Sequence, residues 1–485
     1  VTIKPSDLAS SGVSSLILYN QQTVKMNIQP SSNYPLPTQS SLQLQYVGRH
    51  LSDVLTPAAI IDRSIVRRNC NAMLEVCRGL NVGFRAHVKS HKTLEIAKLQ
   101  VGSEGPAHFV VSTLIEAENL LPFLLECQSQ CRPCSVLYGV PIPQSAVPRL
   151  LQIASKLAPG TFNILIDNAD ALAKFQEKAR TGDIGIYIKI DTGYHRAGIT
   201  TSSPKFSFLV KQVIESSGPR GSHFRGFYSH FGHSYAGSNE DDAANGLIEE
   251  LQGLEVAAKA VPDTFTGQLV LTVGATPTAT AVQNMLSSQS PRAQKVKTII
   301  ERLQKQENFE IELHAGVYPL LDLQQVATGA RPANGKEQPG FQPLSKSNIG
   351  LRMLLEVTSI YDERGKPEAL VSAGSLAMGR EPCKSYPGWG IVTPYLGNQQ
   401  NKDLIYDERG EKTGWIIGRI SQEHGILSWE GPREKMQPLT IGDKLLVWPN
   451  HACVAGAGFG WYLIVDSEVE GGEKVIDVWV RWRGW

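Results

Sequence analysis

Eight short β-rich runs, each followed by a longer helical or polar stretch, dominate the sequence from about Val82 to Gly316. They are Val82–Val88, His108–Thr113, Ser135–Val140, Phe162–Asn168, Ile184–Asp191, Phe224–Phe231, Gln268–Ala275 and Phe309–Ala315, with starts separated by 22 to 44 residues. That spacing leaves room for a helix after each strand. Most of the runs are continuously apolar, as in Ile184-Gly-Ile-Tyr-Ile-Lys-Ile. Strands buried on both faces of a parallel sheet have this character. The pattern predicts an α/β chain built on a (β/α)8 TIM barrel, with a doubly wound open sheet as the competing arrangement.

After about Gln338 helical periodicity fades. Strand-like runs at Leu351–Ile360, Trp415–Ser421, Lys444–Trp448, Trp461–Val465 and Val475–Arg481 are punctuated by Gly and Pro, which predicts a C-terminal all-β domain. Asn20–Ser41 is rich in Ser, Gln and Pro, the composition of an extension that wraps a surface. The expected organisation is therefore an extension over 1–53, a barrel over 54–340 and a β domain over 341–485. Within the barrel, Val282–Asn308 reads as a long lead-in loop and an ordinary helix at Ala293–Gln306.

Composition narrows the function. Lys+Arg 47 against Asp+Glu 46 leaves a net charge of +1 over 485 residues. That excludes a strongly basic nucleic-acid binder and an acidic solvating chain. No apolar run approaches the roughly 18 residues of a spanning helix, so no membrane partner is expected. Val1 to Pro30 has only the short apolar patch Leu16–Tyr19 and no secretory pattern. Seven scattered cysteines do not form a disulfide framework, and a cytoplasmic, reducing location is expected. Cys127, Cys131 and Cys134 lie close together, but no second Cys-x-x-Cys pair follows them to complete a zinc ribbon.

A barrel carries its chemistry at the C-terminal ends of its strands. The first run ends in Arg85-Ala-His-Val-Lys89-Ser-His-Lys92. A lysine beside a buried strand can serve as an amine of lowered pKa that forms a Schiff base with a carbonyl; the plain alternative is a solvated loop lysine. The fifth run leads into Asp191-Thr-Gly-Tyr-His-Arg196-Ala-Gly198, where Arg196 suits an anionic ring oxygen or phosphate. The sixth gives Tyr228-Ser-His230-Phe-Gly-His233-Ser-Tyr235, dense in titratable and aromatic groups. The seventh gives Val273-Gly274-Ala275-Thr276-Pro-Thr278, whose amides and hydroxyls suit a phosphate. The eighth gives His314-Ala-Gly-Val-Tyr318-Pro-Leu-Leu-Asp322. In the β domain, His451 and Cys453 stand at i and i+2, which places them on one side of an extended segment. Imidazole and thiolate suit Zn2+ with open positions, against the alternative of two residues packed there by chance. Gly456-Ala-Gly-Phe-Gly460 misses the dinucleotide fingerprint, because Trp461 stands where its last Gly belongs, and reads as a loop.

These motifs together resemble the eukaryotic-type D-serine dehydratases and the related D-threonine aldolases, pyridoxal-phosphate enzymes with the alanine-racemase-like (fold type III) barrel. The resemblance runs from Thr56-Pro57 through Asp191–Gly198, Gly274–Thr278 and Pro449–Cys453 to Tyr462–Asp466. It implies that Lys89 is the Schiff-base lysine and the α-proton base, that Arg196 bonds the ring oxygen of pyridoxal 5'-phosphate, and that Tyr228 faces its pyridine nitrogen. Gly274, Ala275 and Thr276 would hold the phosphate, and His451 and Cys453 would bind Zn2+. In the aldolases the second metal ligand is typically Asp, so Cys453 favours the dehydratase. The chain departs from the family at Ala275, where Gly is frequent, and at Ser372, where Asp is usual. The longer loop Glu381–Gly390 offers a way to reshape substrate choice.

The implied activity is elimination of water from D-serine to give pyruvate and ammonia, with zinc activating the substrate hydroxyl. A small D-amino acid is the expected partner, and relatives of this kind are commonly homodimers. The alternatives are an aldolase acting on D-threonine or another D-3-hydroxy amino acid, a non-catalytic cofactor-binding protein, and a racemase. The last would want a second base on the opposite face, commonly a Tyr from a partner subunit, and the sequence does not assign one.

Overall fold

The computed structural model describes residues 38–179, 184–217, 223–287, 290–305, 309–393 and 404–485. Most of the expected N-terminal extension and the last residue of the expected helix, Gln306, lie outside these. Eight parallel strands close into a barrel in chain order. With β1 reserved for Ala58–Asp62, they are β2 (Gly83–His87), β3 (Ala107–Val111), β4 (Cys134–Pro141), β5 (Phe162–Ile166), β6 (Gly185–Lys189), β7 (His223–Tyr228), β8 (Val270–Val273) and β9 (Glu310–Ala315). Each coincides with one of the eight apolar runs, and β9 pairs back onto β2 through Phe84 and Leu313. The closed TIM barrel, not the open sheet, is the outcome.

A helix follows each early strand because each intervening segment buries one stripe. Arg63–Gly79 is N-capped by the Asp62 carboxylate, which accepts from Ser64 N–H. It turns Val66, Cys70, Met73 and Cys77 inward at helical spacing. Inside the barrel the packing is partly ionic. Arg85 Nε donates to Glu312 at 2.7 Å, and His108 Nδ1 lies 2.8 Å from the other Glu312 oxygen. Burial pushes Glu312 up, but the Arg85 guanidinium and His108 outweigh it and hold the carboxyl down at about 2.

The second sheet has nine strands in the order β11-β14-β13-β12-β15-β10-β1-β16-β17, and β11 also pairs with β10. These are β10 (Leu351–Tyr361), β11 (Glu368–Val371), β12 (Gly390–Val392), β13 (Gly414–Ile420), β14 (Gly425–Glu430), β15 (Lys444–Pro449), β16 (Trp461–Val465) and β17 (Asp477–Val480). The β10–β11 pairing bends part of the sheet back on itself and covers backbone edges. Two features differ from the sequence expectation. The span assigned to the barrel begins with β1, which pairs antiparallel with β10 and parallel with β16 instead. In addition, β11, β12 and β14 complete the domain although their runs are short or interrupted by glycine. Within the expected extension, the helix Gln39–Tyr46 is fastened to the last strand by Gln39 Nε2, which donates to Val478 O at 2.9 Å. Among the described residues no helix is long and apolar enough to cross a membrane.

Candidate active site

A cavity of about 300 Å³ opens where the C-terminal ends of the barrel strands meet the β domain. Lys89, Arg196, Ala275, Thr276, His451 and Cys453 all line it, although Lys89 and Cys453 are 364 residues apart in the chain. A larger cavity of about 390 Å³ lies at the opposite end, against the strand starts at Phe84, His108 and Glu310, and its wall holds no lysine.

Lys89 projects from a firmly held turn after β2. Its N–H approaches His87 Nδ1 at 3.4 Å, and His87 Nε2 lies 3.3 Å from Ser112 Oγ. A backbone N–H can only donate, so the neutral ring carries its proton on Nε2. Next in the turn, His91 is fully buried between Thr93 and Gln100. Trp482 N–H then closes the turn by donating to Lys92 O at 2.7 Å. The lysine is half-buried in the cavity wall and is not a freely solvated loop side chain.

Three histidines in the wall are kept neutral. His87 and His230 are held well below their ordinary value by burial and then by the nearby Lys89 ammonium. His314 is held down at about 3, chiefly by burial and the Lys189 ammonium. His230 Nδ1 donates to Gly274 O at 2.9 Å, which fixes its proton there and turns Nε2 into an acceptor. His314 stacks on Tyr228 with ring centroids 4.3 Å apart, and its Nε2 is buried without a hydrogen-bond partner. Such an orphaned atom in a cavity wall is a place for a ligand's polar group.

Tyr228 itself is buried behind His314 and outside the cavity wall, with the Lys189 ammonium 4.8 Å from its ring centre. Gly274 is also behind the wall. Its φ of +144 and the 2.3 Å approach that a Cβ would make to His314 O require glycine. The Gly274 N–H donates to Glu250, and the Ala275 N–H donates to Thr278 Oγ1. Both amides are thus engaged inside the protein. The polar edge left to the cavity is the Thr276 hydroxyl, which accepts from the amides of Gly316 and Val317 at 3.4 and 3.2 Å. Glu250 props this loop with bonds to Ser229, Gly274 and Thr278, and burial pushes its carboxyl up to about 7. Arg196 is exposed at the mouth, its guanidinium 5.2 Å from the Tyr194 ring centre.

His451 and Cys453 open the short helix Ala452–Ala457 after β15. Barrel residue Asp322 anchors that helix by accepting from Ala452 N–H at 2.9 Å. Burial alone would lower His451, yet its bond to the Cys453 sulfur raises it to about 9. Conversely, burial raises the Cys453 thiol and the His451 bond outweighs it, so the thiol is shifted down. The Cys453 sulfur also donates to Ser90 Oγ at 3.1 Å, beside Lys89. His451 Nδ1 is buried without a partner. One soft and one borderline donor with an open nitrogen fit a zinc ion that keeps positions for other ligands. Among the described residues no group of three or more His, Cys, Asp or Glu side chains gathers as a metal site.

Sequence reasoning passed over Lys189, Glu250 and the supporting role of Asp322. A visible signal existed for Lys189, the one charged residue inside an otherwise apolar run. Burial and the nearby Arg196 lower it to about 8.

An eight-stranded barrel joined to a β domain, with a lysine after the first barrel strand, is the architecture of the alanine-racemase-like class. Residues 61–293 match the alanine racemase N-terminal domain model, and 350–465 match a serine dehydratase domain model. The chain is 34% identical to a D-serine dehydratase of Schizosaccharomyces pombe, over 92% of this chain and 95% of that one. A D-serine dehydratase of Saccharomyces cerevisiae is 32% identical over 92% of this chain and all 100% of its own. Among solved structures, D-threo-3-hydroxyaspartate dehydratase from Delftia sp. HT23 superposes with a TM-score of 0.67 at 25% identity, covering 90% of this chain and 100% of that one. A cysteine-to-alanine variant of that dehydratase is described as the metal-free form. The chain belongs to the D-serine dehydratase family.

Proposed function

We propose that this protein eliminates water from D-serine, giving pyruvate and ammonia, with pyridoxal 5'-phosphate and zinc as its cofactors. The observation that carries the reading is the meeting of Lys89 with the His451–Cys453 pair in one cavity, Ser90 Oγ touching the cysteine sulfur. Bound there, pyridoxal phosphate supplies an electron sink for the substrate's α-carbon and zinc a Lewis acid for its 3-hydroxyl.

Lys89 Nζ is the attachment point for the first cofactor and the base that takes the α-proton. Its fixed turn presents the amine to one side of the site, which accounts for selectivity toward one enantiomer. Arg196 at the mouth pairs with the ring oxygen. Thr276, with the amides of Gly316 and Val317 behind it, receives the phosphate beside Ala275 in the cavity wall, and Gly274 shapes that loop from behind. The neutral histidines add no positive charge that would compete for the phosphate. Tyr228 acts on the pyridine side through the His314 ring stacked on it. His451 and Cys453 hold zinc, and Asp322 keeps their helix in place. The released 2-aminoacrylate hydrolyses to pyruvate and ammonia. We also take the working form to be a homodimer, which solution mass measurement checks, and its location to be cytoplasmic, which imaging of the tagged protein in cells checks.

Product analysis tests the reading. Purified protein supplied with both cofactors and D-serine is expected to yield pyruvate and ammonia in equal amounts. Glycine and an aldehyde from D-threonine, with no pyruvate from D-serine, would assign the site to an aldolase.

A further inference from the structure

We infer that Glu381 sets the charge the site tolerates on carbon 3 of its substrate, admitting neutral substituents and rejecting a second carboxylate. The inference rests on the dehydratase reading above. Glu381 lines the same cavity as His451 and Cys453, and its backbone carbonyl is held by Asn450, the residue next to His451. In the proposed reaction the 3-hydroxyl lies at that pair, which brings the other substituents of carbon 3 to the part of the cavity that Glu381 helps to line.

The loop holding Glu381 is fixed at both domains. Asn450, next to His451, donates through Nδ2 to Glu381 O at 2.9 Å. Gln324, from the barrel side, donates through Nε2 to Pro382 O at 2.8 Å. Lys384 donates to the carbonyls of Tyr235 and Ala236, in the short helix Gly232–Ala236 after β7, and of Gly237 just beyond it. Neither of the loop's cations, Lys384 and Arg380, lines the cavity. Lys384 is spent on those carbonyls, and the Arg380 guanidinium lies 5.9 Å from the Trp389 ring centre. The cavity cations Lys89 and Arg196 are assigned to the cofactor.

A hydrogen or methyl group on carbon 3 meets no penalty beside a carboxylate. A second carboxylate is repelled. Glu381 is exposed, so solvent screens the repulsion to a level worth about tenfold in affinity at most. The family contains a member named for a dicarboxylic substrate, the D-threo-3-hydroxyaspartate dehydratase of Delftia. Charge on carbon 3 is thus an axis along which its sites differ.

The test measures ammonia release from D-serine and from D-threo-3-hydroxyaspartate by the holoenzyme and by Glu381→Gln, with D-aspartate as a competitive inhibitor lacking the leaving group. The wild type is expected to favour D-serine in kcat/KM. The substitution is expected to shift the ratio toward the dicarboxylate by about tenfold, mostly through KM, and to tighten D-aspartate binding by a similar factor. A ratio and inhibition constant unchanged in a Glu381→Gln protein that still dehydrates D-serine would overturn the inference alone. Wild-type preference for the dicarboxylate would overturn it too. Ammonia from neither substrate would defeat the dehydratase reading, and the inference with it.

Discussion

The barrel and the β domain contribute to the cavity in opposite ways. The barrel presents a lysine among neutral rings, His87, His230 and His314, that burial keeps uncharged. By contrast, the β domain presents a polarised pair, His451 raised to about 9 against a Cys453 thiol shifted down. The barrel's wall is preorganised by deep packing beneath it. The pair stands at the start of a helix of only six residues and borrows its anchor, Asp322, from the barrel. On the proposed reading the difference is a division of labour, with base and cofactor chemistry assigned to the barrel and leaving-group chemistry to the docked β domain.

Substitutions can break that division, and the largest effect belongs to the barrel. Lys89→Ala is expected to lower D-serine turnover by about 10³-fold or more, because the proposed attachment point and the proposed base are lost together. Steady-state turnover near wild type would contradict the assignment. Glu312→Ala should leave Arg85 as an uncompensated buried charge and cost about 3–5 kcal/mol of stability by denaturant unfolding, with no direct effect on the β-domain pair. Cys453→Ala is expected to reduce dehydration by about 10²-fold while pyridoxal phosphate binding, followed by its absorbance, persists. Loss of the cofactor instead would mean that the two sides are not separable. Asp322→Ala touches no cofactor, and it should weaken zinc binding by about tenfold through the loosened helix.

The smallest effect concerns pH. His314 is at about 3 in the folded chain against an ordinary 6.5, and Glu312 is at about 2 against 4.5. In both cases the unfolded chain binds the proton first. Their stabilisation is therefore complete above pH 6.5 for the histidine and above 4.5 for the carboxylate, and it is lost as the pH falls toward 3 and 2. The melting temperature should decline from about pH 6.5 downward, and His314→Asn should flatten the upper part of that decline. An unaltered profile would remove the histidine from the account.

The same contrast governs what could be read from the sequence. Barrel strands are buried on both faces, so their continuous apolar runs announced all eight, and the strand-end rule then led to Lys89, Arg196 and Thr276. Short β-domain strands carry little pattern of their own. Gly390–Val392 is only three residues long, and Ala58–Asp62 reads like another barrel strand until its partners β10 and β16 are known. The placement of Tyr228 behind His314 and the engagement of the Gly274 and Ala275 amides depend on side-chain stacking and on Glu250, Thr278 and His230. Those partners meet only in three dimensions. His451 and Cys453 were visible as a pair by spacing. Their approach to Ser90 was not, because it depends on how two domains dock.

The most direct test of that docking is D-serine turnover after chelator treatment, followed by zinc add-back to wild-type and Cys453→Ala proteins that both retain pyridoxal phosphate. The account predicts that pyruvate release falls on chelation, returns with zinc in the wild type, and does not return in the variant. Turnover that survives complete removal of metal would contradict a leaving-group role for the β domain.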